Sequence, residues 1–164
     1  MERIVRRVWI SLGLGALLLV GCDRGSHPGN IDKPAPQFVV SDGARTVDLS
    51  KLRGQVVVLN LWATNCAPCI EELPSLLALQ RQMPRLAVVA VSWDDDPNAY
   101  RHFLAQHHVD LFTIRDPEQR VANLYGTRQI PETYIIDRRG ILRRKFVSAQ
   151  DWTNPEIVDY LSKL

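Results

Sequence analysis

Residues 56 to 69 read Val56-Val57-Val58-Leu59-Asn60-Leu61-Trp62-Ala63-Thr64-Asn65-Cys66-Ala67-Pro68-Cys69. The nearly unbroken apolar run at the start suits a β-strand covered on both faces. The end of the stretch places two thiols one helical turn apart, with Pro68 in a first turn where a missing N–H costs little. A helix N-terminus presents unpaired amide donors and the positive end of the helix dipole. A thiolate at Cys66 is therefore favoured, and its pKa is expected below that of a free thiol. Cys69 lies one turn deeper on the same side, placed to attack a mixed disulfide formed on Cys66.

Around this stretch, 164 residues with 46% hydrophobic and 23% charged content read as one globular domain with an extra segment. The formal net charge of +2 is modest. The clusters Arg138-Arg139 and Arg143-Arg144-Lys145 fall near an expected hairpin, where a solvated strand face accounts for them. No nucleic-acid partner is expected.

The N-terminus speaks to the compartment. Arg3, Arg6 and Arg7 form a basic region, and Val8 to Val20 is apolar but short for a membrane span. Leu19-Val20-Gly21-Cys22 resembles a bacterial lipoprotein cleavage box. That resemblance implies a signal peptide over 1–21, lipid on Cys22, a polar tether over 22–33 and a folded domain over 34–164. Ordinary cleavage or a short uncleaved anchor would also place the domain outside the cytoplasm. Asp23 resembles an inner-membrane retention signal, which implies the periplasmic face of the inner membrane of a bacterial envelope. Of three cysteines, assigning Cys22 to lipid leaves Cys66 and Cys69 as a matched pair.

Along the domain, Gln37 to Val40 and Thr46 to Leu49 read as an N-terminal β-hairpin around Ser41-Asp42-Gly43. A helix is expected from Ala67 to Gln82, with Glu71 and Glu72 complementing its dipole and Pro74 kinking it. Leu86 to Ser92 is a second buried strand. Asp96-Pro97 caps a helix that turns Tyr100, Phe103 and Leu104 inward. Leu111 to Ile114 reads as a strand and Pro117 to Tyr125 as a helix closed by Gly126. Glu132 to Asp137 and Ile141 to Val147 form a hairpin, and Asn154-Pro155 starts the last helix. This order predicts an α/β fold with a central mixed sheet flanked by helices.

Trp62-Ala63 ahead of Cys66-Ala67-Pro68-Cys69, Pro34-Ala35-Pro36-Gln37-Phe38, and Ile130-Pro131-Glu132-Thr133 together resemble the TlpA/ResA/CcmG-like family of thiol-disulfide oxidoreductases. The resemblance implies a thioredoxin-like fold extended by the N-terminal hairpin and a central insertion from Pro97 to Leu124. It implies a redox-active Cys66–Cys69 disulfide with no other cofactor and no metal. It further implies a cis Pro131 beside the sulfurs, with Trp62, Ala67, Pro68 and Ile130 meeting the substrate. Expected partners are extracytoplasmic protein thiols or disulfides, apocytochrome c among them, and a membrane-embedded reductase.

Three positions depart from related patterns. Asn60 stands where thioredoxin has a buried aspartate, so the acid serving Cys69 is sought in Asp94-Asp95-Asp96. With Asp96 read as a helix cap, Asp95 is the candidate. Glu132 is a second candidate acid, for proton handling or substrate orientation. Asn65 replaces the tryptophan of many relatives. Two other activities share the fold: a Sco-like copper chaperone and a peroxiredoxin-like peroxidase. The first uses a longer Cys-x-x-x-Cys spacing. The second uses a Pro-x-x-x-Thr-x-x-Cys context that Thr64-Asn65-Cys66 does not supply. His102, His107 and His108 fit the end of a helix without any metal.

Overall fold

A computed structural model describes residues 29–164. The expected signal peptide over 1–21, the expected lipidation at Cys22 and most of the expected tether over 22–33 lie outside the described residues. The elements run β1 (Val39–Ser41), β2 (Thr46–Asp48), a 3-10 turn (Leu49–Leu52), β3 (Val57–Trp62), α1 (Ala67–Gln82) and β4 (Ala87–Ser92). They continue with α2 (Pro97–Gln106), β5 (Phe112–Arg115), α3 (Arg120–Tyr125), β6 (Glu132–Ile136), β7 (Leu142–Val147) and α4 (Pro155–Ser162).

The five-stranded sheet has the order β5-β4-β3-β6-β7, with β1 and β2 as a separate antiparallel pair. β3, β4 and β5 are parallel, β6 is antiparallel to β3, and β7 is antiparallel to β6. This is the thioredoxin-like arrangement, with the hairpin and the α2–β5–α3 segment added. Every residue of β3 is buried, as its apolar run requires for a central strand.

Side chains alternate across the sheet and sort the core into two layers. Leu59, Leu61, Tyr134 and Ile136 pack with the hairpin and with Val121, Ala122 and Tyr125 of α3. Val58, Val88, Ile135 and Phe146 pack on the other face with Leu73, Leu76 and Leu79 of α1 and Ile157 and Leu161 of α4. Pro74 is accommodated within one continuous α1. Its missing N–H removes one hydrogen bond from that turn.

Two boundaries differ from expectation. Asp32 and Lys33, assigned to the tether, exchange backbone hydrogen bonds with Leu142 at 2.8 and 2.9 Å. The fold therefore takes in residues before Pro34, because the edge strand β7 offers them backbone partners. The helix expected from Pro117 begins at Arg120. The buried Asp116 explains the delay: its carboxylate accepts from the Val121 N–H at 2.8 Å and pairs with Arg120, while Gln119 turns through φ 54°.

Candidate active site

β3 delivers the chain to the sheet's upper end, and the turn after it places Cys66 as the N-cap of α1. Cys66 and Cys69 form a disulfide. The Cys69 N–H points at Cys66 Sγ across 3.2 Å, the donor that a helix start leaves free. Cys66 is 9% exposed and Cys69 3%, so the outer sulfur meets a partner first. Asn65, Ala67 and Pro68 are exposed around it. Ile130 is half-buried against the cluster that holds both cysteines, and the Ile130–Pro131 peptide is cis.

Trp62 corrects an expectation. It is 2% exposed and wedged beneath the thiols between Tyr100 and Phe103, with ring centroids at 6.2 and 5.7 Å. Its indole N–H donates to Thr113 Oγ1 at 3.3 Å. Trp62 thus supports the site from below, because its neighbours on α2 and β5 cover the face a substrate would need. His107 stacks on Phe103 at 4.1 Å. Among the described residues, no three His, Cys, Asp or Glu side chains gather in a metal-binding group.

The helix that carries the thiols also carries a buried acid, Glu72, which was expected only to complement the helix dipole. It lies one turn beyond Cys69 and is 3% exposed, whereas Glu71 faces solvent. Three donors converge on its carboxylate: Asn60 Nδ2 at 2.8 Å, Gln150 N at 3.1 Å and Trp152 Nε1 at 3.1 Å. Asn60 also donates to Thr133 Oγ1 at 2.9 Å, joining α1, β3 and β6 in one network. Burial pushes the Glu72 carboxyl above its ordinary range, against these three hydrogen bonds, which favour the ionised form. A signal existed in the sequence: Glu72 shares the helical face of Leu76 and Leu79 at intervals of four and seven residues.

In the acidic segment after β4 Asp96 is the expected cap, but Asp94 and not Asp95 faces the thiol loop. Asp96 caps α2, accepting from Asn98 N at 2.7 Å. Asp95 is exposed, and its contact in this region is a backbone one, its carbonyl accepting from Arg115 at 2.8 Å. Asp94 instead turns toward the redox loop. Its carboxylate accepts from Thr64 N at 3.1 Å, from Thr64 Oγ1 at 2.6 Å and from the Ser92 hydroxyl. Residue parity at the end of β4 explains the choice, since alternate positions point to opposite sides.

Glu132 is buried, but on the sheet face opposite Asn60, since β6 alternates and Thr133 points to Asn60. Its carboxylate pairs with Lys145 Nζ at 2.9 Å and meets the Tyr134 hydroxyl at 2.9 Å. Lys145 was expected on a solvated strand face; it is 8% exposed. Glu132 thus has committed partners beside the cis-proline.

Fold and site together define a class: a thioredoxin-like thiol-disulfide oxidoreductase with a Cys-x-x-Cys disulfide at a helix start. Residues 31–145 match the model of the AhpC/TSA family, and the chain belongs to that family. It is similar to the thiol:disulfide interchange protein DsbE of Allochromatium vinosum, 34% identical over 92% of this chain and 88% of that protein. It is also similar to the thiol-disulfide oxidoreductase ResA of Bacillus anthracis, 27% identical over 99% of this chain and 94% of that one. The crystal structure of a putative DsbE from Chlorobium tepidum superposes with a TM-score of 0.69 at 30% identity, covering 79% of this chain and 91% of that chain.

Proposed function

We propose that this protein is a membrane-tethered, extracytoplasmic reductant of protein disulfides, with the oxidised cysteine pair of apocytochrome c as its leading substrate class. The observation that carries the reading is the Cys66–Cys69 disulfide at the start of α1, with the more exposed sulfur at the helix cap. The names of the ResA and DsbE relatives support it. Tethering rests on the Leu19-Val20-Gly21-Cys22 box, with lipid on Cys22. Asp23 favours the periplasmic face of the inner membrane.

The reduced enzyme starts the cycle. The Cys66 thiolate attacks one sulfur of the partner disulfide, the partner S–S bond breaks, and the departing sulfur takes a proton. Cys69 then loses its proton to Glu72 and attacks Cys66 Sγ; the mixed disulfide breaks, the second partner sulfur leaves as a thiolate and takes a proton from water, and the partner departs as a dithiol. Two electrons have passed to the partner, and Cys66–Cys69 is oxidised. A membrane-embedded reductase must return it to the dithiol form. Ile130, Ala67 and Pro68 frame the entry to Cys66, and Pro131 lies beside it.

Replacing Cys69 with Ser tests this reading. The variant is expected to accumulate disulfide-linked partners through Cys66, and mass spectrometry of those adducts identifies substrate and reductant. Absence of adducts in cells that make the variant would overturn it.

The AhpC/TSA match raises a peroxidase reading for the same sulfur. Thr64 stands two residues before Cys66, and its hydroxyl is committed to Asp94. Rapid consumption of hydrogen peroxide by the reduced protein would favour that activity over disulfide reduction.

A further inference from the structure

The end of the domain away from the thiols is basic, and it is the end at which the tether enters. Lys51 and Arg53 lie in and just after the 3-10 turn that leads to β3. Arg138 lies in the turn after β6, and Arg81 and Arg85 flank the end of α1. All five are exposed, and none takes part in an ion pair among the described residues. Arg53 and Arg138 are neighbours: Gly54 N donates to Arg138 O at 2.9 Å, and the Arg53 guanidinium donates to Arg139 O, with Lys51 two residues before Arg53.

Carboxylates at this end are mostly spent. Asp137 and Asp32 are engaged by Arg143, Asp159 is engaged by Lys163, and Asp48 caps the 3-10 turn, leaving Asp110. The redox end carries the opposite balance: the acids Asp42, Glu71, Asp94, Asp95, Asp96, Asp116, Glu118 and Asp151 outnumber the cations Arg45, Arg101, Arg115, Arg120 and Arg128. The chain enters the fold at the basic end. Ala35 N donates to Gly140 O at 2.9 Å and Asp32 N to Leu142 O at 2.8 Å, which seats residues 32–35 against the β6–β7 turn. Between Arg81 and Leu52 lies a cleft of about 520 Å³ lined by Pro84, Leu86 and Phe112, the last 42% exposed.

We propose that this basic end is a docking face for an anionic phospholipid surface; while docked, the domain turns its thiols toward extracytoplasmic partners, and it leaves this face, still held by its tether, when the membrane-embedded reductase restores the dithiol. The proposal rests on the tethered reading above. A lipid on Cys22 precedes the described chain at Gly29 by so few residues that even a fully extended link spans only about 25 Å. The face nearest the tether's entry is thus kept close to the headgroups. Attraction between exposed cations and anionic headgroups falls off within a Debye length, about 8 Å at physiological salt, so only the near face takes part. Each exposed Lys or Arg at such a surface strengthens association about fivefold, and the apolar cleft adds contact in the interfacial layer.

The test uses the full chain, purified from its host membranes and reconstituted on phosphatidylcholine vesicles with and without phosphatidylglycerol. Flotation reads anchoring, and amide hydrogen exchange reads docking. Exchange over residues 51–54 and 138–140 is expected to slow about tenfold or more only with phosphatidylglycerol, and to recover in high salt. A variant carrying Lys51→Gln, Arg81→Gln, Arg85→Gln and Arg138→Gln should lose that protection while keeping native exchange in β3 and β6.

Equal exchange on both vesicle types, with flotation on both, would overturn the docking face and leave anchoring intact. Flotation only on anionic vesicles, abolished by the four substitutions, would overturn anchoring and support the docking face. Protection that survives the four substitutions would overturn the assignment to these cations.

Discussion

Asn60 Nδ2 donates to Glu72 Oε1 across 2.8 Å, in a site where both residues are all but excluded from solvent. The strand beneath the thiols carries an amide, and the carboxylate arrives instead from the helix that carries the thiols. Asn60 steers that carboxylate and, through Thr133, ties it to the strand that follows the cis-proline.

Glu72 makes stability depend on pH in a defined sense. Its carboxyl releases a proton near 4.5 when solvated and at a higher pH in the fold. Between those two values the native state holds a proton that the unfolded chain lacks, so stability falls as pH rises through the window. It is fully retained below the solvated value. Urea unfolding of the wild type and Glu72→Gln across pH should show this decline in the wild type alone; parallel profiles would remove the assignment.

Trp152→Phe keeps most of the ring's packing against Phe146, at a centroid distance of 5.3 Å, but removes the indole donor to Glu72 Oε2. A buried acceptor that loses a partner costs about 1–3 kcal/mol. Chemical denaturation should show a loss of that size at neutral pH. The loss should shrink in acid, where Glu72 is protonated.

Asp94 and Asp95 are expected to behave differently despite their adjacency. Asp94→Ala strips the Thr64 N–H and hydroxyl of their acceptor and loosens the turn that presents Cys66. Stopped-flow measurement of mixed-disulfide formation should slow about tenfold, the rate equivalent of about 1.4 kcal/mol of lost positioning. Asp95→Asn, altering an exposed side chain, should leave attack and resolution unchanged.

The buried pair of Glu132 and Lys145 yields a thermodynamic cycle. Lys145→Met strands the Glu132 carboxylate and should cost about 3–5 kcal/mol. The double substitution Glu132→Gln with Lys145→Met should recover most of that loss in equilibrium unfolding. Additive losses would mean that the two groups do not stabilise one another.

What the linear chain determined about this protein is local. An apolar run long enough for one buried strand, a thiol at a helix start and another one turn on, and Asp96-Pro97 as a cap are all decided by neighbours within a few residues. They sufficed to read the Cys66–Cys69 pair at a helix start and the order of the elements, whereas the cis peptide before Pro131 was expected only from the family resemblance. Tertiary structure decided which face each polar side chain meets. Glu71 and Glu72 are equivalent as helix-dipole residues, but the rotation of α1 on the sheet buries only Glu72. Asp94 and Asp95 differ by which side of the loop meets Thr64. Trp62 reads as a substrate contact until α2, more than thirty residues later, covers it. Lys145 reads as a solvated charge until the β6–β7 pairing seats it beside Glu132. Such partners are distant in sequence, and only the packing of sheet and helices brings them within hydrogen-bonding range.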